Sequence, residues 1–523
     1  MTSEINNDTA SSQAVEAFER EIGVTGVASR RVQVGNREFL KFLVGKDAPV
    51  YAHALLESQK YLSSENPFRG AMGVEAKRAA SFPESLEAKA LLTLLTRSTR
   101  EVSQDTSSHG YVVPYVPFQK REDHTLAQPA SHIVRGRRGV GKSTLIKRAT
   151  DLLAMTPAIV AILDMQGYSS LAADDLLREV LYDACSAFVE SAKTSSGGIK
   201  KIQTQVQNLE DVANQIRSGN LSTARAPIVF KRALAGLTKL TGNNAFLFLD
   251  DFHLIAHDDQ PFLLHFLHGA LKGANGWLKV AGLSSLLNVY SAKTRQGLQT
   301  PGDAQYISLD LTLENPEAAE AHLKAILEGF LNAVGYNFSS AVIPQPAFQR
   351  LAWANAGVPR DFLQMFARSL EHAQRNRRAA ITLSDINVAI GEFGQQKMND
   401  LELDARNEAG ALRKMLQKIE QFCLEENKVN AFLVRSDDSK ERTLVQILSD
   451  LRMVHLIHQS ITPRKAGERF EAFIIDYSIF TGFRRRPNVV EMIPQEPQFK
   501  AAELRALPKV TAGFFEDAFT ESN

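Results

Sequence analysis

The stretch that most restricts the fold of this chain is a glycine-rich sequence at residues 132–149, HIVRGRRGVGKSTLIKRA. It matches the pattern G-x-x-x-x-G-K-[ST] at every fixed position from Gly136 to Ser143. The partly β-branched run His132–Arg135 comes before it and helix formers follow, so the sequence predicts a strand, a tight loop and a helix. Glycines let successive backbone N–H groups point at one anion, and the helix N-terminus adds a favourable dipole. The alternative is a glycine-rich turn that matches by chance at every fixed position.

The side chains of this loop predict a site for a nucleoside triphosphate, ATP. Lys142 is expected to reach the outer phosphates, and the hydroxyl of Ser143 to ligate Mg²⁺. Phosphate-loop proteins include kinases, motors, switches and assembly factors, so the loop alone does not determine the function. The predicted ATP-binding residues are Gly136, Arg137, Arg138, Gly139, Val140, Gly141, Lys142, Ser143 and Thr144.

The composition is that of an ordinary globular protein, with 44% hydrophobic and 23% charged residues in 523. The net charge is +1, so any surface that binds nucleic acid must be local. Cys185 and Cys423 are too few and too distant for a disulfide framework or a cysteine-based zinc site. The first residues lack the pattern of a secretory signal, and no apolar run is long enough to span a membrane. We therefore expect a cytoplasmic protein without a membrane partner.

Apolar runs around the phosphate loop predict a parallel α/β sheet. Strands that alternate with helices imply crossover connections, and buried parallel strands are continuously apolar. Residues 1–110 are predicted to be mostly helical, including Arg37–Ser63, and helical patterns resume beyond Leu313. The further predicted strands lie within Ala158–Tyr168, Asn243–Ile255, Gly276–Ser285 and Ala304–Leu311.

The apolar run FLFLDD, Phe246–Asp251, ends in two carboxylates. A strand tip that faces the phosphate loop would place Asp250 near Mg²⁺, usually through water, and Asp251 near the attacking water. The alternative is a pair of solvated acids at a strand end. The phosphate loop upstream favours the functional interpretation.

Together these segments resemble AAA+ ATPases, and specifically the initiator group typified by origin-recognition-complex ATPases. The resemblance covers about residues 112–395. It is carried by the phosphate loop, by FLFLDD with the polar strand tip Leu283–Ser285, by VPYVPFQKRED (Val113–Asp123) and by AGVPRDFLQMFARSL (Ala356–Leu370). It implies an α/β parallel-sheet P-loop AAA+ core with a helical lid, a helical N-terminal region and a C-terminal winged-helix domain. The expected domains are 1–111, 112–313, 314–397 and 398–523.

The resemblance also implies roles for single residues. Asp250 is the acid that supports Mg²⁺, and Asp251 takes the place of the catalytic glutamate. Ser284 or Ser285 stands at the sensor-1 position, and Arg360 is the sensor-2 arginine. Aspartate is one methylene shorter than glutamate, and misplacement by about 1 Å can cost about 100-fold in rate. Hydrolysis is therefore expected to be slow or stimulated by a partner.

AAA+ proteins usually complete each site with an arginine from a neighbouring subunit, which offsets charge in the transition state. The segment Asn288–Asp303 follows the third strand, where such a residue would lie. Arg295 is the candidate and Lys293 the next choice; the alternative is a solvated loop charge. This role implies a homo-oligomer.

The C-terminal region shows helical patterns at Asp404–Cys423 and Ser439–Val454, followed by a predicted hairpin of Val454–Ile461 and Arg469–Phe480. Helices followed by a two-stranded ribbon predict a winged helix, which in the initiator group commonly grips duplex DNA. Winged helices also mediate protein contacts, so an unidentified protein partner is the alternative. The predicted contacts with DNA phosphates are Arg464, Lys465 and Arg469.

Two functions stay open at this point. The first is an ATP-hydrolysing switch that oligomerises with nucleotide and engages duplex DNA, recruits a partner protein, or does both. The alternative is a regulatory ATPase of a cellular, anti-phage type defence system that acts on an effector without binding DNA. A third interpretation, a scaffold in which ATP only stabilises the fold, leaves Asp250, Asp251 and Arg360 without a role. The cofactors are ATP and Mg²⁺ in the first two cases.

Overall fold

The computed structural model describes residues 7–35, 37–45, 48–76, 81–100, 115–195, 199–404, 409–437, 439–462, 468–481, 489–492 and 499–516. The chain forms two compact units. The first consists of Met1–Val116, Leu311–Arg442 and Met453–Asn523, and the second of Pro117–Asp310 and Thr443–Arg452. The second unit is therefore discontinuous in sequence. The division into four domains stays a prediction.

The secondary structure alternates between helices and strands in the second unit and is mixed in the first. The helices are α1 (Asn7–Ile22), α2 (Pro49–Ser58), α3 (Leu86–Arg100), α4 (Glu122–Leu126), α5 (Lys142–Ala154), α6 (Ala173–Ser195), α7 (Ile199–Arg217), α8 (Ala226–Thr241), α9 (Gln260–Leu271), α10 (Pro316–Ala333), α11 (Gln345–Ala354), α12 (Pro359–Arg375), α13 (Leu383–Asp404), α14 (Ala409–Glu420), α15 (Lys440–Asp450), α16 (Tyr477–Phe480) and α17 (Ala501–Arg505). The strands are β1 (Ser29–Val34), β2 (Arg37–Val44), β3 (Met72–Ala76), β4 (His132–Arg135), β5 (Ala158–Asp164), β6 (Asn244–Asp250), β7 (Gly276–Gly282), β8 (Tyr290–Ser291), β9 (Gln296–Gly297), β10 (Gln305–Ser308), β11 (Ala431–Arg435), β12 (Val454–Ile461) and β13 (Phe470–Ile475).

The second unit is built on a five-stranded sheet with the order β10-β4-β7-β6-β5. Every pair in it is parallel, so the predicted α/β parallel sheet is confirmed. One apolar core joins β4, β5, β6 and β7 to α6, α7, α8 and α9. The carboxyl ends of parallel strands meet at one edge of a sheet, which brings together the segments that follow β4, β6, β7 and β10. Ligands of open parallel sheets bind at this edge.

The N-terminal part of the first unit contains a sheet of order β1-β2-β3 beside its helices. The helical prediction for Arg37–Ser63 is wrong at Arg37–Val44, which forms β2. In that run Leu40, Phe42 and Val44 are buried and alternate with less buried residues, a period of two that fits a strand. The ring of Phe42 stacks on Phe18 of α1 at 4.0 Å between centroids. Burial of this alternating face explains why the segment is a strand.

The remainder of the first unit contains the helices α10 to α13, in the region beyond Leu313 where helical patterns are predicted, and a C-terminal sheet of order β11-β13-β12. Strands β12 and β13 are antiparallel, as predicted, but β13 ends at Ile475 and Tyr477–Phe480 forms α16. The side chain of Asp476 accepts a hydrogen bond from the Ser478 N–H at 3.0 Å, and this N-cap ends the strand. Among the described helices, none combines the length and apolar character that a bilayer crossing requires.

Candidate nucleotide site

The phosphate loop joins β4 to α5, as the motif predicts. Gly139 and Gly141 have φ angles of +78° and +103°, in the region that glycine adopts without steric cost. Gly141 directly precedes α5, so its conformation sets the path of the chain into the helix N-terminus. The ring of Phe118, in the segment Val113–Asp123 that carries part of the resemblance, lies 3.8 Å from the position of a Cβ on Gly141. The backbone geometry of an anion-binding loop is therefore present.

Lys142 is nearly buried within this loop. Its Nζ donates hydrogen bonds to the backbone oxygens of Gly136 at 2.8 Å and Arg137 at 3.1 Å. Burial lowers the pKa of Lys142, and the carboxylates of the site oppose that shift. The ammonium group is thus held inside the loop and faces an acidic environment. The carboxylates are those of Asp250, Asp251, Asp310 and Asp450.

Asp250 ends β6 and receives a side-chain hydrogen bond from Ser143. The N–H of Asp251 also donates to the Asp250 Oδ1 at 2.9 Å. Burial and the neighbouring Asp251 raise the pKa of Asp250 to about 6, while the bond from Ser143 and the charge of Lys142 lower it. A partly buried carboxylate that accepts a hydrogen bond from a hydroxyl fits a hard divalent cation such as Mg²⁺, which prefers oxygen ligands. The structure brings together the two residues that the sequence predicts as metal ligands.

Asp251 follows directly, with a left-handed backbone at φ +50°. Its side chain is 43% exposed, so it can contact water. His253 lies behind it, with 3.9 Å between its Nδ1 and the Asp251 Oδ1. Burial, with the charges of Lys142 and Arg138, lowers the pKa of His253 to about 3, so the ring is neutral. His253 is therefore a neutral neighbour of the site; the sequence analysis did not include it.

The two serines predicted at the sensor-1 position differ in their surroundings. Ser284 is exposed, whereas Ser285 is partly buried and bonds to a carboxylate. Gln260, which is fully buried, holds this segment in place by donating to the backbone oxygens of Ile255 and Leu286 at 3.0 Å each. The contacts therefore single out Ser285.

Two acids that the sequence analysis missed complete the edge of the site. Asp310 Oδ1 accepts from the Arg137 N–H at 2.9 Å and from its Nε at 3.1 Å. Asp450, at the end of α15, accepts from both the N–H and the hydroxyl of Ser285 at 2.7 Å. Asp310 lies near the end of the predicted strand segment Ala304–Leu311, and this position was a usable signal. No local sequence pattern marks Asp450.

The other predicted site residues belong to other segments of the chain. Arg295 is exposed in the turn between β8 and β9, with φ +55°. Arg360 belongs to the first unit, where it is the second residue of α12. Gly357 shapes the turn before that helix, because a Cβ there would lie 2.4 Å from the Leu311 backbone oxygen. Arg469 is exposed, and Arg464 and Lys465 lie outside the described residues.

Comparison with known proteins gives structural similarity only. No family model matches the chain, and no curated protein matches it. Drosophila ORC bound to DNA is 14% identical with a TM-score of 0.37, and the match covers 77% of this chain and 94% of that one. The Aeropyrum pernix ORC1 protein in complex with DNA is 14% identical with a TM-score of 0.36, covering 71% and 92%. The Thermotoga maritima RuvB Holliday junction branch migration motor is 12% identical with a TM-score of 0.31, covering 71% and 97%.

These structures are origin-recognition and related AAA+ ATPases, the group that the sequence resembles. The parallel sheet, its flanking helices and the phosphate loop together fit an α/β P-loop AAA+ core. At these identities and TM-scores the likeness carries no argument about function, which depends on the residues of the site.

Proposed function

We propose that this chain is an AAA+ switch that binds and hydrolyses ATP, assembles with copies of itself when nucleotide is bound, and engages duplex DNA, a partner protein or both. The hydrogen bond between Ser143 and Asp250 beside the buried Lys142 carries the proposal. An ordinary glycine-rich turn would not require these three groups together at one sheet edge. The proposed location is the cytoplasm, in keeping with two buried free cysteines, Cys185 and Cys423.

Each group of the site has a defined task in this function. The loop amides and Lys142 bind the phosphates, and Ser143 and Asp250 would hold Mg²⁺. The cation would neutralise charge on the transferring phosphoryl group when it is bound. Asp251 accepts a hydrogen bond from the attacking water, and Ser285 orients groups near the terminal phosphate. The shorter side chain of Asp251 makes basal turnover slow.

The decisive experiment is steady-state ATP hydrolysis by the purified chain, with and without duplex DNA, with Lys142→Ala as the blank. We expect slow hydrolysis that DNA stimulates and that Lys142→Ala abolishes. Stimulation would link the nucleotide cycle to DNA. Equal rates with and without DNA would favour the alternative, a regulatory switch that acts on a partner protein. Hydrolysis that survives in Lys142→Ala would show that the activity comes from elsewhere.

We assign the DNA contact to the β12–β13 hairpin. Arg469 is exposed directly before β13, and Arg464 and Lys465 lie in the sequence between the two strands. Phosphate contacts release counterions, so affinity should fall with salt by a slope of about 0.9 per contact in a double-logarithmic plot. Neutralising these three residues together should flatten that slope by about two to three. Binding to a fluorescent duplex over a range of salt concentrations measures it, and an unchanged slope would move the DNA surface elsewhere.

A further inference from the structure

Asp450 places a carboxylate from the C-terminal part of the chain at the nucleotide site. It is 5% exposed, and Thr443–Arg452 belongs to the same compact unit as the phosphate loop. Its Oδ2 accepts from the Ser285 N–H and the Ser285 hydroxyl, both at 2.7 Å. The Asp450 backbone oxygen accepts from the Arg138 N–H of the phosphate loop at 3.3 Å. One residue thus joins the phosphate loop to the sensor-1 serine.

Both hydrogen-bond donors of Ser285 are engaged in these contacts. A serine has one hydroxyl proton and one backbone N–H, and both are directed at Asp450. A terminal phosphate has only acceptor oxygens at its surface, so it needs the same proton that Asp450 holds. Ser285 can serve the carboxylate or the phosphate, but its hydroxyl cannot donate to both at once.

The charges at the site work in the same direction. Asp450 interacts with the charge of Lys142, as Asp250 and Asp251 do. An added triphosphate would bring further negative charge into this acidic environment. Asp450 is also the last residue of α15, where the helix dipole disfavours a carboxylate. The hydrogen bonds from Ser285 offset that cost. A ligand that accepts the Ser285 hydroxyl proton therefore destabilises Asp450 in its present position.

We propose that Asp450 is a specificity-determining residue of the nucleotide site, which competes with the terminal phosphate of a nucleoside triphosphate for Ser285. A nucleoside triphosphate binds with release of Asp450 and its segment, Thr443–Arg452, whereas a diphosphate binds with the Asp450–Ser285 contact intact. This inference rests on the proposed nucleotide function. It gives the site a built-in means of distinguishing the two nucleotides.

The test compares the dissociation constants of ATPγS and ADP, measured by calorimetry on the full chain. In Asp450→Ala the affinity for ATPγS should rise about tenfold relative to that for ADP, since hydrogen bonds to a charged group are being relieved. Asp258→Asn, which removes a carboxylate whose side chain is fully exposed in the same unit, is the matched control and should leave the ratio unchanged. A ratio in Asp450→Ala within about twofold of the wild type would overturn the proposal.

Two further measurements separate competition for Ser285 from a general effect of charge or of folding. In a Ser285→Ala background, Asp450→Ala should change the ratio much less, because the contested hydroxyl proton is gone and only the backbone N–H and the charge of Asp450 remain. In the wild type, ATPγS but not ADP should speed the hydrogen exchange of residues 443–452. This measurement does not require any variant to fold. Slower exchange with ATPγS would contradict release.

The failure of the proposed function is distinguishable from the failure of this inference. If the wild type binds neither nucleotide, the nucleotide function itself is wrong and the inference falls with it. If the wild type binds both but Asp450→Ala behaves like Asp258→Asn, only the role of Asp450 is wrong.

Discussion

Lys279 shows how burial decides the protonation of a single residue in this core. It is 1% exposed on β7, and its Nζ donates to the Gln128 backbone oxygen at 2.7 Å. The same nitrogen lies 2.9 Å from the His132 Nδ1. Burial lowers the pKa of Lys279 from 10.5 to about 6, and that of His132 to about 3. Both side chains are therefore neutral at neutral pH, and the Lys279 amine and the His132 imidazole share a hydrogen bond.

This neutral lysine predicts a pH dependence of stability. Between pH 6 and 10.5 the unfolded chain binds a proton at Lys279 that the folded chain does not, so the free energy of unfolding rises with pH in that window. Thermal unfolding of the wild type and of Lys279→Met at about pH 6.5 and about pH 9 measures it. Between these two pH values, we expect the melting temperature of the wild type to rise more than that of Lys279→Met. Each kcal/mol of added stability should raise the melting temperature by about 2–4 °C. The exposed Lys239→Met is the control, and parallel behaviour of all three proteins would show that Lys279 is charged in the fold.

At the scale of the helices and strands, a buried ionic cluster connects α12, α13 and β12 in the first unit. The Lys397 Nζ lies 3.2 Å from the Asp361 Oδ2 and 2.5 Å from the Asp476 Oδ2. The His455 Nε2 lies 2.7 Å from the same Asp476 oxygen. Burial alone would raise the pKa of Asp476, but Lys397 and His455 hold it well below its usual range. The carboxylate therefore depends on these partners to stay charged.

Removing one partner should be costly. Lys397→Met leaves buried carboxylates without their cation, so we expect destabilisation by about 3–5 kcal/mol in urea unfolding. The double variant Lys397→Met/Asp476→Asn should recover part of that loss, because one unpaired charge is gone. Lys193→Met, which breaks an exposed pair with Glu210, should cause little change. A Lys397→Met protein as stable as Lys193→Met would show that water reaches the cluster.

The same scale shows what the sequence could predict. Strands β5, β6 and β7 were predictable because continuous apolar runs are typical of parallel strands buried on both faces. The β2 segment was not, because its short alternating run stands beside strong helix formers. Helix α7 contacts α6 and α8 in the core, although its composition is largely polar. Composition alone therefore does not indicate that this helix belongs to the core.

In the site, Lys142, Ser143 and Asp250 were predictable because a fixed spacing or a strand end marks them. Asp450 was not, because its bonds to Ser285 span 165 residues of the chain. Asp310 was signalled only by its place near the end of a predicted strand, and its partner Arg137 lies 173 residues away. Contacts over such separations depend on tertiary packing, which one sequence does not encode as a local pattern. Asp251 was predicted in its place, but not its left-handed backbone.

At the scale of the whole molecule, the exposed position of Arg295 predicts a site shared between subunits. Arg295→Ala should abolish ATP turnover and leave ATP affinity nearly intact, because a cation supplied by a neighbour acts mainly on the transition state. An equimolar mixture of Arg295→Ala with Lys142→Ala should regain activity, since some sites then combine the intact Lys142 of one subunit with the intact Arg295 of the other. Steady-state hydrolysis measures both.

Lys293→Ala is the matched control, because Lys293 is exposed in the same turn. It should keep normal turnover. Loss of turnover in Lys293→Ala but not in Arg295→Ala would assign the role to the lysine. Normal turnover in both would remove this turn from the site.

The discontinuity of the second unit has a consequence for synthesis on the ribosome. Its main segment ends at Asp310, but Thr443–Arg452 is made only after all of 311–442 has been translated. At about 5–20 residues per second, the second unit remains for on the order of 10 s with the Ser285 donors lacking their carboxylate acceptor. The site therefore matures late, and a chain that ends before Asp450 would carry a complete phosphate loop without the carboxylate that accepts from Ser285.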